Sequence, residues 1–348
     1  MRLPIFTSKR LGIDLGTANC LVWVVGSGVV VSEPSVVAVD SISGKVVAVG
    51  SQAHEMLGKT GPPPNGAWAG TNLIAQKPLR EGVVADFLVA ESMLKYFVDK
   101  VLGASRFVRP EVMVCVPAGI TQVERRAVLE ATIASGAKVA YLIEHPLAAA
   151  IGARLPIEAA IGSMIVDIGA GQTGAAIVSL GGIVAVSTVK IGGSRLDEAI
   201  VNYLRKAHNL IIGERMAEEI KISVGSATKV TPKKTIEARG RDAIFGLPKT
   251  ITVDSWEIND AMAPTLAQIV ACVKNALEQT PPELAADIID RGIVLCGGTA
   301  QLRGLDRYIA ASTNVAVNVA EDPIQCVVYG CGIALENIET WRRLVQVR

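Results

Sequence analysis

Short, nearly continuous apolar runs alternate along this chain with longer segments whose apolar positions recur every three or four residues. The runs predict strands covered on both faces, and the recurring positions predict amphipathic helices. Residues 112–116, 139–143 and 293–296 read as buried strands. Residues 84–101 read as a helix with Phe87, Leu88, Met93, Leu94, Phe97 and Val101 on its apolar face. Further helices are predicted at 122–134, closed by Gly136, and from Pro146 to about Gly152. Others are expected at 196–207, 214–224, 258–279, 282–290 and 301–312. Ser194 and Asp197 have the spacing of a capping box at the start of the 196–207 helix. A polar stretch at 229–253 carries short strands, and Pro62-Pro63-Pro64 marks a loop tip. Strands alternating with helices imply an α/β fold with mixed sheets.

One pattern occurs twice. Residues 11–31 read LGIDLGTANCLVWVVGSGVVV, and residues 164–184 read MIVDIGAGQTGAAIVSLGGIV. Placing Asp14 on Asp167 also places Gly16 on Gly169 and Gly28 on Gly181. Each copy reads strand, Asp-x-Gly turn, strand, glycine-containing hairpin, strand. The copies lie a whole domain apart, so they predict two duplicated lobes around a cleft rather than a solenoid.

The 348-residue length suits two lobes. Half of the residues are hydrophobic but only 4% are aromatic, so the core is built from Val, Ile, Leu and Ala. The formal net charge is +1, which disfavours nucleic acid as a partner. Six cysteines without a C-x-x-C pair read as reduced and buried, and three scattered histidines do not make a zinc site. No apolar stretch reaches the roughly 20 residues that span a bilayer. The N-terminus mixes Leu3, Ile5 and Phe6 with Arg2, Lys9 and Arg10, which suits either a frayed end or a weak membrane-surface anchor.

Candidate chemistry centres on the repeated turns. Glycines let backbone amides approach an oxyanion, so Gly16, Thr17, Ala18 and Asn19 in one copy are expected to line the phosphates of a nucleotide. Gly169, Ala170, Gly171, Gln172 and Thr173 are expected to do the same in the other copy. Asp14 and Asp167 are expected to hold a hydrated Mg²⁺ through water. Neither a Walker-A pattern nor a Rossmann fingerprint is present. Gly297-Gly298-Thr299 follows a strand, and its glycines would let a flat base lie against the backbone. Glu218 and Lys221 lie three apart on one helical face and read as a solvated ion pair or as sugar and base contacts.

The order IDLGTAN (13–19), VPAGITQVERRAV (116–128), LIEHPLAAAIGA (142–153), VDIGAGQT (166–173), IGGSRLDEAI (191–200), ALEQTPPELAADI (276–288) and RGIVLCGGTAQLRGLDR (291–307) closely resembles the MreB family of bacterial actin homologues. DnaK-type chaperones and sugar kinases share the phosphate loops but not the QTPPELAADI segment. The resemblance implies an actin-like fold with four subdomains: 1–32, 67–146 and 319–348 together; 33–66; 147–191 with 245–318; and 192–244. It implies ATP/ADP and Mg²⁺ as cofactors, and self-assembly into paired protofilaments. It further implies a role in cell shape at the inner face of the bacterial plasma membrane, with cell-wall elongation proteins such as RodZ as partners. Phe107 and Val108, between Arg106 and Arg109, match a loop that enters lipid in such proteins, or else pack beneath their own loop. The family usually carries Glu where this chain has His145, and Thr where it has Gln172 with Thr173 following. These residues are the expected water-positioning groups, and the loss of a carboxylate implies slow ATP hydrolysis. Three functions follow: a filament with slow turnover, a polymerising scaffold that barely hydrolyses, or a monomeric kinase, for which no catalytic Asp stands out.

Overall fold

The computed structural model describes residues 8–57, 72–80, 83–84, 87–103, 109–341 and 345–347. The chain divides into two compact units, Met1–Leu155 with Gln325–Arg348 and Pro156–Ile324.

The first unit opens with the antiparallel strands β1 (Arg10–Leu15), β2 (Asn19–Val24) and β3 (Gly28–Pro34). A smaller sheet follows from β4 (Val37–Asp40), β5 (Val46–Val49) and, beyond helix α1 (Ser51–Met56), β6 (Leu73–Gln76). A short ladder joins β7 (Leu79–Arg80) to β8 (Val83–Val84) and leads into α2 (Phe87–Leu102). Then come β9 (Glu111–Val116), α3 (Gln122–Ala134), β10 (Val139–Glu144) and α4 (His145–Gly152). In α2, Met93, Leu94 and Phe97 pack with Leu11, Ile13, Val112 and Val114 in the core. Helix α3 carries a capping box that the sequence reading did not single out: Thr121 accepts the Glu124 amide, and Glu124 reaches back to Thr121.

The second unit repeats the opening with β11 (Ser163–Ile168), β12 (Thr173–Ser179) and β13 (Gly182–Val189). It continues through α5 (Gly193–His208), β14 (Leu210–Ile211), α6 (Glu214–Val224), β15 (Thr235–Asp242), β16 (Pro248–Asp254) and α7 (Ser255–Glu278). It ends with α8 (Pro282–Arg291), β17 (Ile293–Cys296), α9 (Leu305–Thr313) and β18 (Val317–Val319). The chain then returns to the first unit as α10 (Cys326–Glu336), α11 (Ile338–Trp341) and β19 (Gln346–Val347).

The duplication extends past the three strands. The first unit's main sheet runs β19-β10-β9-β1-β2-β3, and the second unit's runs β13-β12-β11-β17-β18. In both, the strand that ends in the Asp-x-Gly turn pairs antiparallel with its successor and parallel with a strand from much later in the chain. Both repeat hairpins turn on glycines at positive φ, Gly26 and Gly28 in one and Gly181 in the other. All six cysteines are buried and free, as expected.

The first unit runs to Leu155, so α4 falls with α10. The two helices cross at backbone contact: a Cβ on Gly330 would lie 1.8 Å from Ala148 O, and one on Gly152 would lie 1.7 Å from Cys326 O. The expected capping box at Ser194 and Asp197 does not form. Helix α5 starts three residues early, at Gly193 behind Gly192, with no side-chain cap. The helix expected at 301–312 begins only at Leu305, after a 3-10 turn over Gly298–Gln301.

Candidate functional site

In the second unit, three glycine-containing loops converge. The turn after β11 is closed by the Gly169 amide donating to Gln172 O at 3.0 Å. The start of α5 docks onto it: the Gly193 amide donates to Gly169 O at 3.0 Å and the Ser194 amide to Ala170 O at 2.9 Å. From the third side, the Thr299 hydroxyl donates to Gly169 O at 2.9 Å. These bonds occupy the carbonyls of Gly169, Ala170 and Gln172. Among the described residues, the amides of Ala170, Gly171 and Gln172 donate to no acceptor within the chain. A run of such N–H groups is a concave anion site.

The approach of the loops requires glycine. A Cβ on Gly192 would sit 2.4 Å from Gly169 O and 2.7 Å from Ala170 O, and neither backbone atom can retreat. Gly297 lies at φ 85° and ψ 162°, and its Cβ would meet Asp167 Oδ1 and Ile168 O, both at 2.5 Å. Gly298, its neighbour, is exposed and has nothing within 4 Å of an added Cβ. Gly297 is therefore required by the fold, whereas Gly298 is bare, exposed backbone.

Lys221 does not pair with Glu218, which is exposed. Its Nζ lies 2.8 Å from Asp197 Oδ2 and 3.1 Å from Gly193 O, with both side chains mostly buried. The lysine thus fixes a positive charge immediately behind the α5 start, and Asp197 holds it there instead of capping the helix. Thr173 is fully buried, and its hydroxyl donates to Ile191 O at 2.7 Å. It braces the β12 edge, while Gln172 is half-buried beside it.

In the first unit, Asp14 ends β1 beside Cys115 on β9. The Cys115 thiol donates to Asp14 Oδ1 at 3.2 Å, and His145 Nε2 at the head of α4 lies 3.4 Å from the same oxygen. Burial pushes the Cys115 thiol well up, helped by hydrogen bonding with Cys331 and by the Asp14 charge. Cys115 is therefore a neutral donor and not a thiolate ligand. Glu144 points away from His145 and pairs with Arg125. The Gly16–Asn19 turn is held by Ser35, whose hydroxyl donates to Gly16 O at 2.6 Å and whose amide donates to Ala18 O at 2.8 Å.

Asp14 and Asp167 are both buried, each at a strand end next to a glycine turn. In the second unit, a buried carboxylate next to the 170–172 amides fits a hydrated Mg²⁺ held through water, since Mg²⁺ keeps several waters and takes few carboxylates. The soft thiol beside Asp14 adds nothing to such a site.

Sequence reasoning missed Gly192, Gly193, Asp197 and Ser35. The Gly-Gly pair before a helix was the available signal; Asp197 and Ser35 carried none. Phe107 and Val108, and most of the N-terminal apolar residues, lie outside the described residues.

A family model described as MreB/Mbl protein matches residues 8–343. The cell shape-determining protein MreB of Escherichia coli (strain K12) is 50% identical over 338 residues, covering 95% of this chain and 94% of the relative. The cell shape-determining protein Mbl of Bacillus subtilis (strain 168) is 47% identical over 332 residues, covering 95% and 97%. The crystal structure of MreB5 of Spiroplasma citri bound to ADP superimposes with a TM-score of 0.89 at 34% identity, covering 97% of this chain and 99% of that one. A MamK double helical filament structure, at 23% identity and a TM-score of 0.78 over 95% of this chain, shares the fold. The fold is actin-like, as expected. Near-complete coverage at these identities, together with the duplicated glycine turns, means that the chain belongs to the MreB/Mbl family.

Proposed function

We propose that this chain binds ATP and assembles into filaments that determine bacterial cell shape. The amides of Ala170, Gly171 and Gln172, which donate to no acceptor among the described residues, together with the fixed charge of Lys221, carry the reading. Amides bind phosphate oxygens without a proton of their own to lose, and the nearby lysine adds attraction. Within the second unit, Gly298 offers bare backbone to the base. When bound, Mg²⁺ would neutralise phosphate charge, and in the second unit Asp167 is the carboxylate that would hold it through water. The MreB5 structures with ADP and with AMPPNP bound support nucleotide binding.

Hydrolysis is slow in this reading. Water attacking a γ-phosphate must be oriented and lose a proton. His145 stands where a carboxylate would serve, with Nε2 turned to Asp14. Gln172 can orient water but cannot take its proton. Glu144 is held by Arg125 and does not substitute. A polymerising scaffold with almost no turnover is the second reading, favoured by the same replacement.

The filament works as a peripheral assembly on the inner face of the plasma membrane, with the four-subdomain division of the family. Among the described residues no helix is long and apolar enough to cross a membrane. The Phe107–Val108 segment and the N-terminus are the attachment candidates the family resemblance implies. Cell-wall elongation proteins such as RodZ are the partners the family implies. Electron microscopy of the purified chain on anionic lipid, with and without ATP–Mg²⁺, tests the reading. Filaments on lipid that need nucleotide are expected; monomers under all conditions would overturn it.

A further inference from the structure

Three strands of the first unit end side by side. The parallel ladders pair Ile13 with Val114 and Ile143 with Cys115. Asp14 therefore closes β1 next to Cys115 on β9, and His145 follows β10 at the head of α4. The carboxyl ends of parallel strands are where open α/β sheets take their ligands. Among the described residues, Asp14, Cys115 and His145 are the one group of three whose carboxylate oxygen, thiol sulfur and ring nitrogen all lie within 4.8 Å of one another. Cys115 Sγ stands 3.2 Å from Asp14 Oδ1, and His145 Nε2 stands 3.4 Å from the same oxygen.

Those separations suit a bound ion. A tetrahedral cation with bonds of about 2.0–2.3 Å holds neighbouring donors roughly 3.3–3.6 Å apart. Two of the three pairs already stand close to that, and a small turn of the His145 ring closes the third. Two donors sit on paired strands of the main sheet, and Cys331 on α10 hydrogen-bonds the Cys115 sulfur, so the site is firm. His145 is the most open of the three side chains, and an ion enters past its ring.

The donor set chooses the ion. Mg²⁺ and Ca²⁺ take oxygen, and one carboxylate beside a thiol and an imidazole offers them little. One oxygen, one sulfur and one nitrogen suit Zn²⁺, with water in the fourth position. Histidines scattered along the chain argue against a site made of histidines, but here one is enough. It stands at a position where this chain departs from its family, and Glu in its place would leave no nitrogen. As the chain stands, the Cys115 thiol keeps its proton and donates it to Asp14 Oδ1. Coordination expels that proton to water, because the cation supplies the charge that burial withholds.

We propose that the first unit binds one zinc-type divalent cation through Asp14 Oδ1, Cys115 Sγ and His145 Nε2, joining β1, β9 and the head of α4. It is a different ion from the hydrated Mg²⁺ placed at Asp167, and it stands whether or not the chain forms filaments.

The test uses the full chain, freed of metal with a chelator and kept free of nucleotide, titrated with Co²⁺ as a coloured stand-in for Zn²⁺. One equivalent is expected to give a near-ultraviolet thiolate-to-cobalt band with the intense visible bands of four-coordinate cobalt, and Zn²⁺ is expected to bleach both. Cys115→Ser is expected to abolish the thiolate band. His145→Glu is expected to weaken Zn²⁺ binding at least about tenfold in competition with a chromophoric chelator, since even an outer-shell partner is worth about 10–100-fold. Zn²⁺ is expected to raise the thermal midpoint more in the wild type than in either variant, because a ligand of the folded state stabilises it. His208→Gln breaks a second histidine–carboxylate pair, with Glu257 at 2.8 Å, and is expected to leave Zn²⁺ binding unchanged. A wild-type chain with no thiolate band overturns the proposal, and this needs no variant to fold. A band that survives Cys115→Ser overturns it by placing the ion on another cysteine. Unchanged affinity in His145→Glu overturns it too, as does loss of binding in His208→Gln, which would mean an adventitious ion only.

Discussion

Adjacent glycines in the 297–299 loop are predicted to respond oppositely to alanine. Gly297→Ala places a Cβ 2.5 Å from both Asp167 Oδ1 and Ile168 O, at φ 85° and ψ 162°. That backbone region is essentially reserved for glycine and costs a side-chain residue about 1–3 kcal/mol. The clash adds to this, because Ile168 O belongs to a central strand paired on both sides and cannot withdraw cheaply. A total near 3 kcal/mol is expected, which for a unit of this size lowers the melting midpoint by about 6–12 °C. Nucleotide affinity should fall too, since relief requires moving either Asp167 or the Gly169 turn that Thr299 holds. Gly298→Ala meets nothing and should leave the midpoint within about 1 °C. The bulkier Gly298→Val should weaken nucleotide binding with little change in the midpoint of the nucleotide-free protein. Scanning calorimetry and titration with a fluorescent ATP analogue give both readouts. A Gly297→Ala protein as stable as wild type would refute the packing argument, and a Gly298→Val protein with unchanged affinity would refute the ligand role of that backbone.

Three further outcomes follow from the site. Lys221→Met leaves the mostly buried Asp197 carboxylate and Gly193 O without their cation, and should cost about 2–3 kcal/mol in denaturant titration; Lys221→Met with Asp197→Leu should recover part of that stability but not nucleotide affinity. His145→Glu restores a carboxylate next to Asp14 and should raise phosphate release per subunit by about tenfold or more, so a fast wild-type rate unimproved by the change would count against slow hydrolysis. Thr173→Val strands Ile191 O and should cost about 1–2 kcal/mol of stability with phosphate release nearly unchanged, whereas Gln172→Ala should slow release at unchanged stability; the reverse pattern would return the water-positioning part to Thr173.

Much of the architecture was legible because it is local. Helix α3 occupies the predicted 122–134, and β9, β10, β17, α6 and α8 lie within a residue or two of their predicted ends. Their periodicities and their Pro or Gly stops act over a few residues, which a single sequence records. The two Asp-x-Gly turns were legible for the same reason, doubled by repetition. What failed was each feature whose partner is remote. Asp197 has the spacing of a cap, yet a lysine 24 residues on takes it. Thr173 looked like a phosphate-loop hydroxyl until Ile191 O accepted it from 18 residues away.

The sequence by itself determined the duplicated strand-turn-strand units, the alternation of strand and helix, and the positions of the glycine turns, because periodicity and turn chemistry are short-range. Only the tertiary structure decided which amides of those turns find no acceptor among the described residues, which glycine is structural, and where Lys221 puts its charge. It also decided that α4 belongs with α10, through glycines 178 residues apart that let two helix backbones touch. Those are matters of which groups, distant along the chain, compete for the same hydrogen bond or the same volume. Folding settles that competition, and spacing along the chain does not encode it.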